Sequence, residues 1–202
     1  MNISKFDPER IFFESDSHFC HEAIIKYCDR PFKSVEEMNE TIIENWNLVV
    51  GQKDIVFHLG DFGLGPFEKL KKIFQRLNGD IYLIMGNHDF RQTKGILSMF
   101  KEIHLEMLLE VEKTKILLNH YPMLCFSGSN RSDVWQLFGH VHTREKTSGY
   151  DAGRLQHLFP TQYDVGVDNN DFTPVSFEQL KQKIQTQIEN NRSKEEYEDQ
   201  TK

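Results

Sequence analysis

Residues 81–90 read IYLIMGNHDF and join an apolar run to a polar ending. The run 81–85 has the length and apolar character of a buried strand. It stops at Gly86, and an amide, an imidazole and a carboxylate follow directly at positions 87–89. A glycine permits a sharp exit from a strand, which lets the next side chains turn inward. Three consecutive polar side chains at the end of a buried strand indicate a functional site.

Four other apolar runs end in a similar way. The polar groups that close them are Asp16 with His18, Gly60 with Asp61, Asn119 with His120, and Gly139 with His140 and His142. In an open α/β sheet the carboxyl ends of parallel strands meet along one edge, so residues far apart in sequence converge there. Imidazole, carboxylate and amide oxygen, without thiolate, are ligands that borderline divalent ions accept. The pattern predicts a metal site at this edge.

Strands and helices alternate through the first half of the chain. Apolar runs at 10–15 and 54–61 predict two further buried strands. A capping-box pattern, Ser34 with Glu37, precedes an amphipathic helix, and Pro66 opens a second helix. Such alternation favours parallel strand pairing with helices on the sheet faces.

The second half of the chain has a different pattern. IHLEMLLEV (103–111) and KILLNH (115–120) flank a short polar piece and predict a β-hairpin, so the sheet is expected to be mixed. A turn-rich stretch at 143–162 leads to a short strand, YDVGV (163–167). Ser176 then caps a last helix.

Length and composition indicate a single domain. The chain has 202 residues, of which 38% are hydrophobic, enough for one sizeable core. We expect this domain to span residues 1–190. The remaining residues, 191–202, are too polar to bury and are expected to fray.

Charge and cysteine content exclude several classes of protein. The formal charge is −7, which disfavours binding to long duplex nucleic acid because that needs clustered Lys and Arg. Neither a basic leader with an apolar core nor a membrane-spanning run is present, so no membrane partner is expected and a cytoplasmic protein is favoured. The three cysteines lack C-x-x-C spacing and are expected to be reduced.

The five polar groups resemble the motifs of the calcineurin-like metallophosphoesterases. In order they read D-x-H, G-D, G-N-H-D, H and G-H-x-H across residues 16–142. The resemblance is greatest to short bacterial and phage phosphoesterases, which carry similar RPF and NWN segments near positions 30 and 45. It implies an α/β fold, a four-layer α/β/β/α sandwich with mixed sheets.

The resemblance also implies two metal positions. Asp16, His18, Asp61 and His142 would hold one divalent ion, and Asp61, Asn87, His120 and His140 would hold the other. Asp61 would bridge them, because a carboxylate offers two anionic oxygens to two cations about 3.5–4 Å apart. Manganese is the favoured metal, with iron, zinc, nickel or cobalt as alternatives, because the ligands are nitrogen and oxygen only.

The implied reaction is hydrolysis of a phosphoester by a hydroxide that bridges the two metals. His88 would protonate the leaving oxygen, and Asp89 would orient the His88 imidazole. Two divalent ions, two carboxylates and one hydroxide leave about +1 facing the substrate. Such a charge favours a monoanionic phosphodiester, and the expected substrate is small, with nucleotides included.

Several residues near the motifs have less defined roles. His21, Arg30 and Arg131 are candidates for substrate binding, although either arginine could equally be a structural ion-pair member. His58 is expected to be a hydrogen-bonded interior residue. Glu14 and Cys20 depart from what the resemblance implies, and Glu14 is a candidate acceptor behind the ligands.

Other functions fit parts of the same pattern. A phosphomonoesterase or nucleotidase would use the same metals, and a protein of this fold without catalysis could serve as a metal-binding scaffold. A zinc protease is disfavoured because the HFCHE stretch (18–22) lacks the H-E-x-x-H pattern. A nuclease for long nucleic acid would need an additional binding surface.

Overall fold

The computed structural model describes residues 7–142 and 155–200, with side chains described as far as 191. Its strands are β1 (Ile11–Glu14), β2 (Ile55–His58), β3 (Asp80–Ile84), β4 (Ile103–His104), β5 (Glu106–Val111), β6 (Thr114–Asn119), β7 (Val134–Phe138), β8 (Gln162–Asp164) and β9 (Val175–Ser176). Its helices are α1 (Glu22–Tyr27), α2 (Val35–Val49), α3 (Phe67–Phe74), α4 (Lys94–Leu97) and α5 (Phe177–Gln200).

The strands form two mixed sheets. The first has the order β4-β3-β2-β1-β9, in which β1 to β4 are parallel and β9 is antiparallel to β1. The second has the order β5-β6-β7-β8, with β5 antiparallel to β6 and the other pairs parallel. The predicted mixed α/β fold is therefore confirmed.

One hydrophobic core lies between the two sheets. Strand β5 alternates strictly, with Met107, Leu109 and Val111 buried and the residues between them exposed. The buried side chains belong to the same cluster as Phe13 of β1 and Phe57 of β2, which are in the first sheet. The sheets thus pack face to face, and the period of two decides which side chains meet. Helix α5 adds its apolar stripe to this core and contacts strands of both sheets.

A second core lies between the first sheet and the helices. Helix α2 begins where Ser34 Oγ accepts a hydrogen bond from the Glu37 amide, as its capping pattern predicts. Its side chains Ile42 and Trp46 are fully buried and pack in one cluster with Val56 of β2. Within the described ranges no helix is long and apolar enough to cross a membrane.

One element boundary differs from the sequence predictions. The run 103–111 does not form one strand, because β4 pairs with β3 in the first sheet whereas β5 pairs with β6 in the second. The predicted hairpin is confirmed for β5 and β6. Helix α5 continues to Gln200, and the domain boundary expected at 190 stays a prediction. Part of the predicted turn-rich stretch, 143–154, lies outside the described residues.

The two sheets join at the carboxyl ends of their parallel strands. Ser15, just after β1, pairs in parallel with Gly166, just after β8. The Ser15 amide donates to the carbonyl of Val165 at 3.2 Å, and the Val167 amide donates to the carbonyl of Ser15 at 3.0 Å. This joint brings the loops after β1, β2 and β3 close to the loops after β6, β7 and β8.

Candidate metal centre

The backbone of this edge adopts an uncommon conformation at five polar residues. The angle φ is positive at Asp16 (59°), His18 (51°), Asp61 (57°), His140 (72°) and His142 (46°). Each such non-glycine residue costs of order 1–3 kcal/mol, and such strain collects at functional sites. The loops after β1 and β2 hold each other in this conformation, since the Asp16 amide donates to Gly60 and the His18 amide to Asp61.

Three of these residues, Asp16, His18 and His142, form what we call the first group. Asp16 Oδ1 lies 3.8 Å from Nε2 of His18 and 3.8 Å from Nε2 of His142. Asp16 Oδ1 and His18 Nε2 are buried and have no hydrogen-bond partner among the described residues. Burying a carboxylate oxygen and an imidazole nitrogen without partners costs free energy of desolvation. A cation shared by the two atoms would offset that cost.

Asn87, His120 and His140 form the second group. His120 Nδ1 lies 2.7 Å from the carbonyl oxygen of Leu59, so Nδ1 carries the proton and Nε2 is left as a ligand atom. Nε2 lies 3.2 Å from Oδ1 of Asn87. The His140 ring is 5.1 Å from the His120 ring, and the His140 amide donates to Asp16 Oδ2 at 2.8 Å.

Asp61 lies between the two groups. Its Oδ2 is 3.6 Å from His18 Nε2 and 3.6 Å from His120 Nε2. Its Oδ1 accepts a hydrogen bond from the His88 amide at 2.8 Å, which fixes the orientation of the carboxylate. One carboxylate oxygen thus faces a histidine of each group. The ligand atoms of Asp16, Asp61 and His120 also lie within 4.8 Å of one another, so this donor set suits divalent cations.

Two glycines leave room for these carboxylates. A Cβ on Gly139 would overlap Asp16 Oδ2 and Ser15 Oγ. A Cβ on Gly86 would overlap Asp61 Oδ1. The glycines in the G-N-H-D and G-H-x-H motifs are therefore explained by close approach of the neighbouring loop.

A chain of charged side chains supports the first group. Arg30 binds both carboxylate oxygens of Asp168, at 3.0 and 2.8 Å, and Asp168 Oδ2 accepts from His142 Nδ1 at 2.6 Å. Burial by itself raises the pKa of Asp168, but His142 and Arg30 outweigh it and bring the value down to about 2. Burial lowers the pKa of His142, whereas Asp16 and Asp168 raise it to about 11. The contact of Nδ1 with Asp168 leaves Nε2 of His142 3.8 Å from Asp16 Oδ1, where a cation could take the place of the proton that these carboxylates favour.

Asp168 was not identified from the sequence. It follows the YDVGV strand directly, so it has the same position relative to an apolar run as Asp16 and Asp61. An acidic residue directly after an apolar run was therefore a signal in the sequence. The YDVGV run is short, however, and no histidine accompanies Asp168. Its partner Arg30 lies 138 positions away in the sequence.

Neither arginine proposed for substrate binding lies where it could bind substrate. Arg30 is 4% exposed, and besides Asp168 it donates to the backbone carbonyls of Asp16 and Ser17. Arg131 forms a bidentate pair with Asp133 on the surface. It precedes β7, whereas His140 follows β7, so it lies at the opposite end of that strand. Both arginines are ion-pair members, and the expectation of phosphate clamps is wrong for this structure.

Asp89 was expected to orient the His88 imidazole, but it forms no hydrogen bond to that ring in the structure. Its carboxylate accepts hydrogen bonds from the backbone amides of Asp61 (2.7 Å), Phe62 (3.2 Å) and Gly86 (2.8 Å). His88 Nδ1 has no hydrogen-bond partner among the described residues. Burial raises the pKa of Asp89 to about 6, although its three backbone donors act against this rise. Asp89 therefore ties the loop after β2 to the loop after β3.

His88 and His21 lie on the side of the first group. The His88 ring is 5.1 Å from the His18 ring, and its Nε2 is 3.9 Å from Asp61 Oδ2. His21 is partly buried, and its Nδ1 lies 3.2 Å from Nδ1 of His18. Burial is the largest cause that lowers the pKa of both His18 and His21. Neutral imidazoles are the form that binds metals.

Glu14 and His58 form a buried polar pair on the helix side of the first sheet. Ser17 Oγ donates to Glu14 Oε1 at 2.6 Å and lies 2.7 Å from His58 Nε2. Burial raises the pKa of Glu14 to about 8 and lowers that of His58 to about 3. His58 is thus an interior histidine, and Glu14 accepts from Ser17. Cys20 is half-buried, and its amide donates to Asn39 Oδ1.

Two face-to-face mixed sheets with carboxylate, imidazole and amide side chains at their joined edge are typical of metal-dependent phosphoesterases. The family model described as calcineurin-like phosphoesterase matches residues 9–128. This match spans more than half of the chain, and the chain belongs to the calcineurin-like phosphoesterase family, whose members are hydrolases of phosphoesters that use divalent metals. The match ends before β7 and therefore before the G-H-x-H motif.

Individual relatives extend the likeness beyond the family model. The uncharacterized protein MJ1445 of Methanocaldococcus jannaschii is 42% identical over 135 residues, which are 66% of this chain and 69% of that protein. Gene 66 protein of Mycobacterium phage L5 is 26% identical, and the match covers 78% of this chain and 86% of that protein. Among solved structures, the protein of unknown function AQ665 from Aquifex aeolicus superimposes with a TM-score of 0.68 at 28% identity and covers 85% of this chain and 97% of its own.

Proposed function

We propose that this protein hydrolyses a small phosphodiester with two divalent metal ions at the joined edge of its sheets. The observation that carries the proposal is the position of Asp61 Oδ2, 3.6 Å from His18 Nε2 and 3.6 Å from His120 Nε2. A single carboxylate oxygen placed between two separately supported histidines suits a pair of cations better than a single one.

The side chains divide between two metal positions. The first group and Asp61 would hold one ion, and Asp61 and the second group would hold the other. When bound, such ions activate water and offset the charge of the phosphoryl oxygens. Manganese is the favoured ion, and iron, zinc, nickel or cobalt could take its place because the ligands are all nitrogen or oxygen.

His88 is the candidate acid for the leaving group. Its side chain is 27% exposed, so it can reach both the substrate and the solvent. Its amide donates to Asp61 Oδ1, which ties its position to the carboxylate between the two groups. A proton on the imidazole would pass to the leaving oxygen as the P–O bond breaks, and solvent would restore it. Asp89 contributes by holding the loops that carry Asp61 and His88.

The positions of Arg30 and Arg131 favour a phosphodiester substrate over a phosphomonoester. A phosphomonoester dianion is usually held by one or more guanidinium groups, since these bind two phosphoryl oxygens at once. Arg30 is buried in its pair with Asp168, and Arg131 is paired with Asp133 at the opposite end of β7 from His140. A centre of about +1 with two divalent ions matches a monoanion. Nucleotide diesters belong to this class of substrate, and the formal charge of −7 disfavours long duplex nucleic acid.

A comparison of two aryl substrates tests the proposal. Protein stripped of metal by a chelator is reloaded with increasing manganese, and hydrolysis of bis(4-nitrophenyl) phosphate is compared with that of 4-nitrophenyl phosphate. We expect up to two ions per chain by elemental analysis and a higher kcat/KM for the diester. A preference for the monoester would replace the diesterase with the phosphomonoesterase alternative. Metal binding without hydrolysis of either substrate would leave the metal-binding scaffold.

A further inference from the structure

An apolar cavity of about 400 Å³ opens beside the second group. Its lining includes Tyr121, Leu124, His140, Leu155, His157 and Leu158. A volume of this size falls in the range of cavities that bind small molecules, which are mostly apolar with a few polar groups. No role for these side chains follows from the metal positions, apart from that of His140.

The cavity borders the second group. Tyr121 directly follows His120, and its ring lies 4.9 Å from the His120 ring and 4.7 Å from the His140 ring. Tyr121 therefore forms a wall shared by the second group and the cavity. A molecule bound at the second metal position would have its neighbouring substituent directed along this wall.

The exposed side chains of the cavity favour a flat apolar occupant. Leu124 is 59% exposed and Tyr121 is 42% exposed, although both are large side chains that usually bury most of their surface. Three ring side chains, Tyr121, His140 and His157, line the cavity, and rings pack well against the edge or face of another ring. An aromatic ring, such as an aryl group or a nucleobase, meets both conditions.

The cavity lies on the opposite side of the centre from the candidate acid. His88 contacts His18 and His21, whereas Tyr121 contacts His120 and His140. The ester oxygen that departs must be near His88 to receive its proton. The group in the cavity is therefore the one that stays on phosphorus.

We propose that this cavity binds an aromatic ring on the retained side of a phosphodiester. The inference rests on the proposed function and adds the class of substrate. Water adds to phosphorus, the P–O bond to the leaving group breaks, the leaving oxygen takes a proton, and the product is a monoester that still carries the aromatic ring.

Two substrates with the same leaving group isolate the retained group. Phenyl 4-nitrophenyl phosphate and methyl 4-nitrophenyl phosphate both release nitrophenolate and differ only in the group left on phosphorus. Their intrinsic reactivities differ, so the informative quantity is the change in the ratio of their kcat/KM values between wild type and variant. Leu124→Trp would fill the cavity from its exposed side, and Leu124→Ala would widen it. Leu48→Trp, at an 83% exposed position of α2 on the far side of the first sheet, is the control.

We expect Leu124→Trp to lower the phenyl-to-methyl ratio about tenfold or more, as for a blocked apolar pocket. Leu124→Ala should lower the ratio less, and Leu48→Trp should not change it. Hydrolysis of the methyl substrate and the thermal unfolding midpoint report whether each variant is folded. Calorimetry can measure the affinities for methyl phenylphosphonate and methyl methylphosphonate without turnover. The Leu124 variants should lose the preference for the phenyl compound that wild type shows.

The two possible failures are distinguishable. If wild type hydrolyses both substrates and neither Leu124 variant alters the ratio or the binding preference, the cavity does not hold the retained group. If manganese-loaded wild type hydrolyses neither substrate, the proposed function itself is wrong and this inference is overturned with it.

Discussion

The first and second groups face each other across Asp61, and the protein supports them by different means. Behind the first group lies a buried ion pair, Arg30 with Asp168, whose side chains are 0% exposed. Behind the second group lies a backbone carbonyl, that of Leu59, and its outer side is covered by the partly exposed ring of Tyr121.

This difference in support makes the first group rigid and leaves the second group accessible to substrate at the same sheet edge. A buried ion pair fixes geometry but excludes substrate, because breaking it exposes an uncompensated charge. A carbonyl that fixes one imidazole tautomer needs little space and leaves the other side of the ring open. We therefore expect the first group to control metal retention and the second group to influence which substrates are accepted.

Asp61→Asn should have the largest effect, because Asp61 serves both groups. Removal of its charge would cost several kcal/mol of transition-state stabilisation, and a cost of about 4 kcal/mol or more corresponds to about 10³-fold or more in rate at about 1.36 kcal/mol per decade. Metal content and kcat are measured together on the nitrophenyl diester. Asn87→Asp is the matched variant, which keeps an oxygen ligand in the second group and should lose less. Equal metal content and rate in Asp61→Asn and wild type would show that Asp61 does not bridge.

His88→Asn should separate proton donation from metal binding. General acid catalysis contributes roughly 10²–10⁴-fold, and only a poor leaving group needs it. The variant should keep both metals and most of its rate on a nitrophenyl diester, and lose a factor of that order on an alkyl or nucleoside diester. His120→Asn is the comparison, since loss of a second-group ligand should slow both substrates alike. An equal slowing of both substrates by His88→Asn, or loss of a metal, would contradict the assigned role.

Asp168→Asn should weaken the first group selectively. We expect a loss of about 10–100-fold in affinity for one of two manganese ions, and a fall of about 3 kcal/mol or more in the free energy of unfolding because buried Arg30 loses its countercharge. Calorimetric titration of metal and denaturant unfolding measure the two effects. Asp133→Asn, which breaks the exposed pair with Arg131, is the control and should change neither. If both variants behave alike, the Arg30–Asp168 pair does not support the metal centre.

His21→Ala should have the smallest effect. His21 Nδ1 faces His18 Nδ1 at 3.2 Å, so it can accept a hydrogen bond from His18 Nδ1. With its proton on Nδ1, His18 has Nε2 free as a ligand atom. Loss of this acceptor should weaken manganese binding at the first group by about tenfold, the lower end for such supporting contacts. His21→Gln keeps an acceptor and should recover part of the affinity. If His21→Ala instead raises KM for the diester while metal affinity stays the same, His21 contacts substrate rather than His18.

The candidate ligand residues could be identified from the sequence because each motif is local. A strand of four or five residues that ends in Gly, Asp or His can be recognised from those few residues alone. The topology of parallel strands then requires these endings to meet at one edge. The helix caps at Ser34 and Ser176 are local signals of the same kind, and both accept the expected backbone hydrogen bond in the structure.

The roles of individual charged side chains were not predictable in the same way. Arg30 could have bound phosphate or an acid, and its choice of Asp168 depends on a residue 138 positions away. Asp89 lies next to His88 in the sequence, yet its carboxylate points to the amides of the Asp61 and Gly86 loops. Adjacency in sequence does not set side-chain direction where a chain turns, because direction follows the local backbone angles.

By itself the sequence determined the mixed α/β class, the strand endings and the set of nitrogen and oxygen side chains that are candidate ligands. These depend on apolar periodicity and on residue type, which act over a few positions. Only the tertiary structure decided that β4 and β5 belong to different sheets, that Arg30 supports His142 through Asp168, and that Tyr121 forms one wall of an apolar cavity. Each of those depends on free energies of burial and charge pairing between segments distant in sequence, which become defined only once the two sheets have packed together.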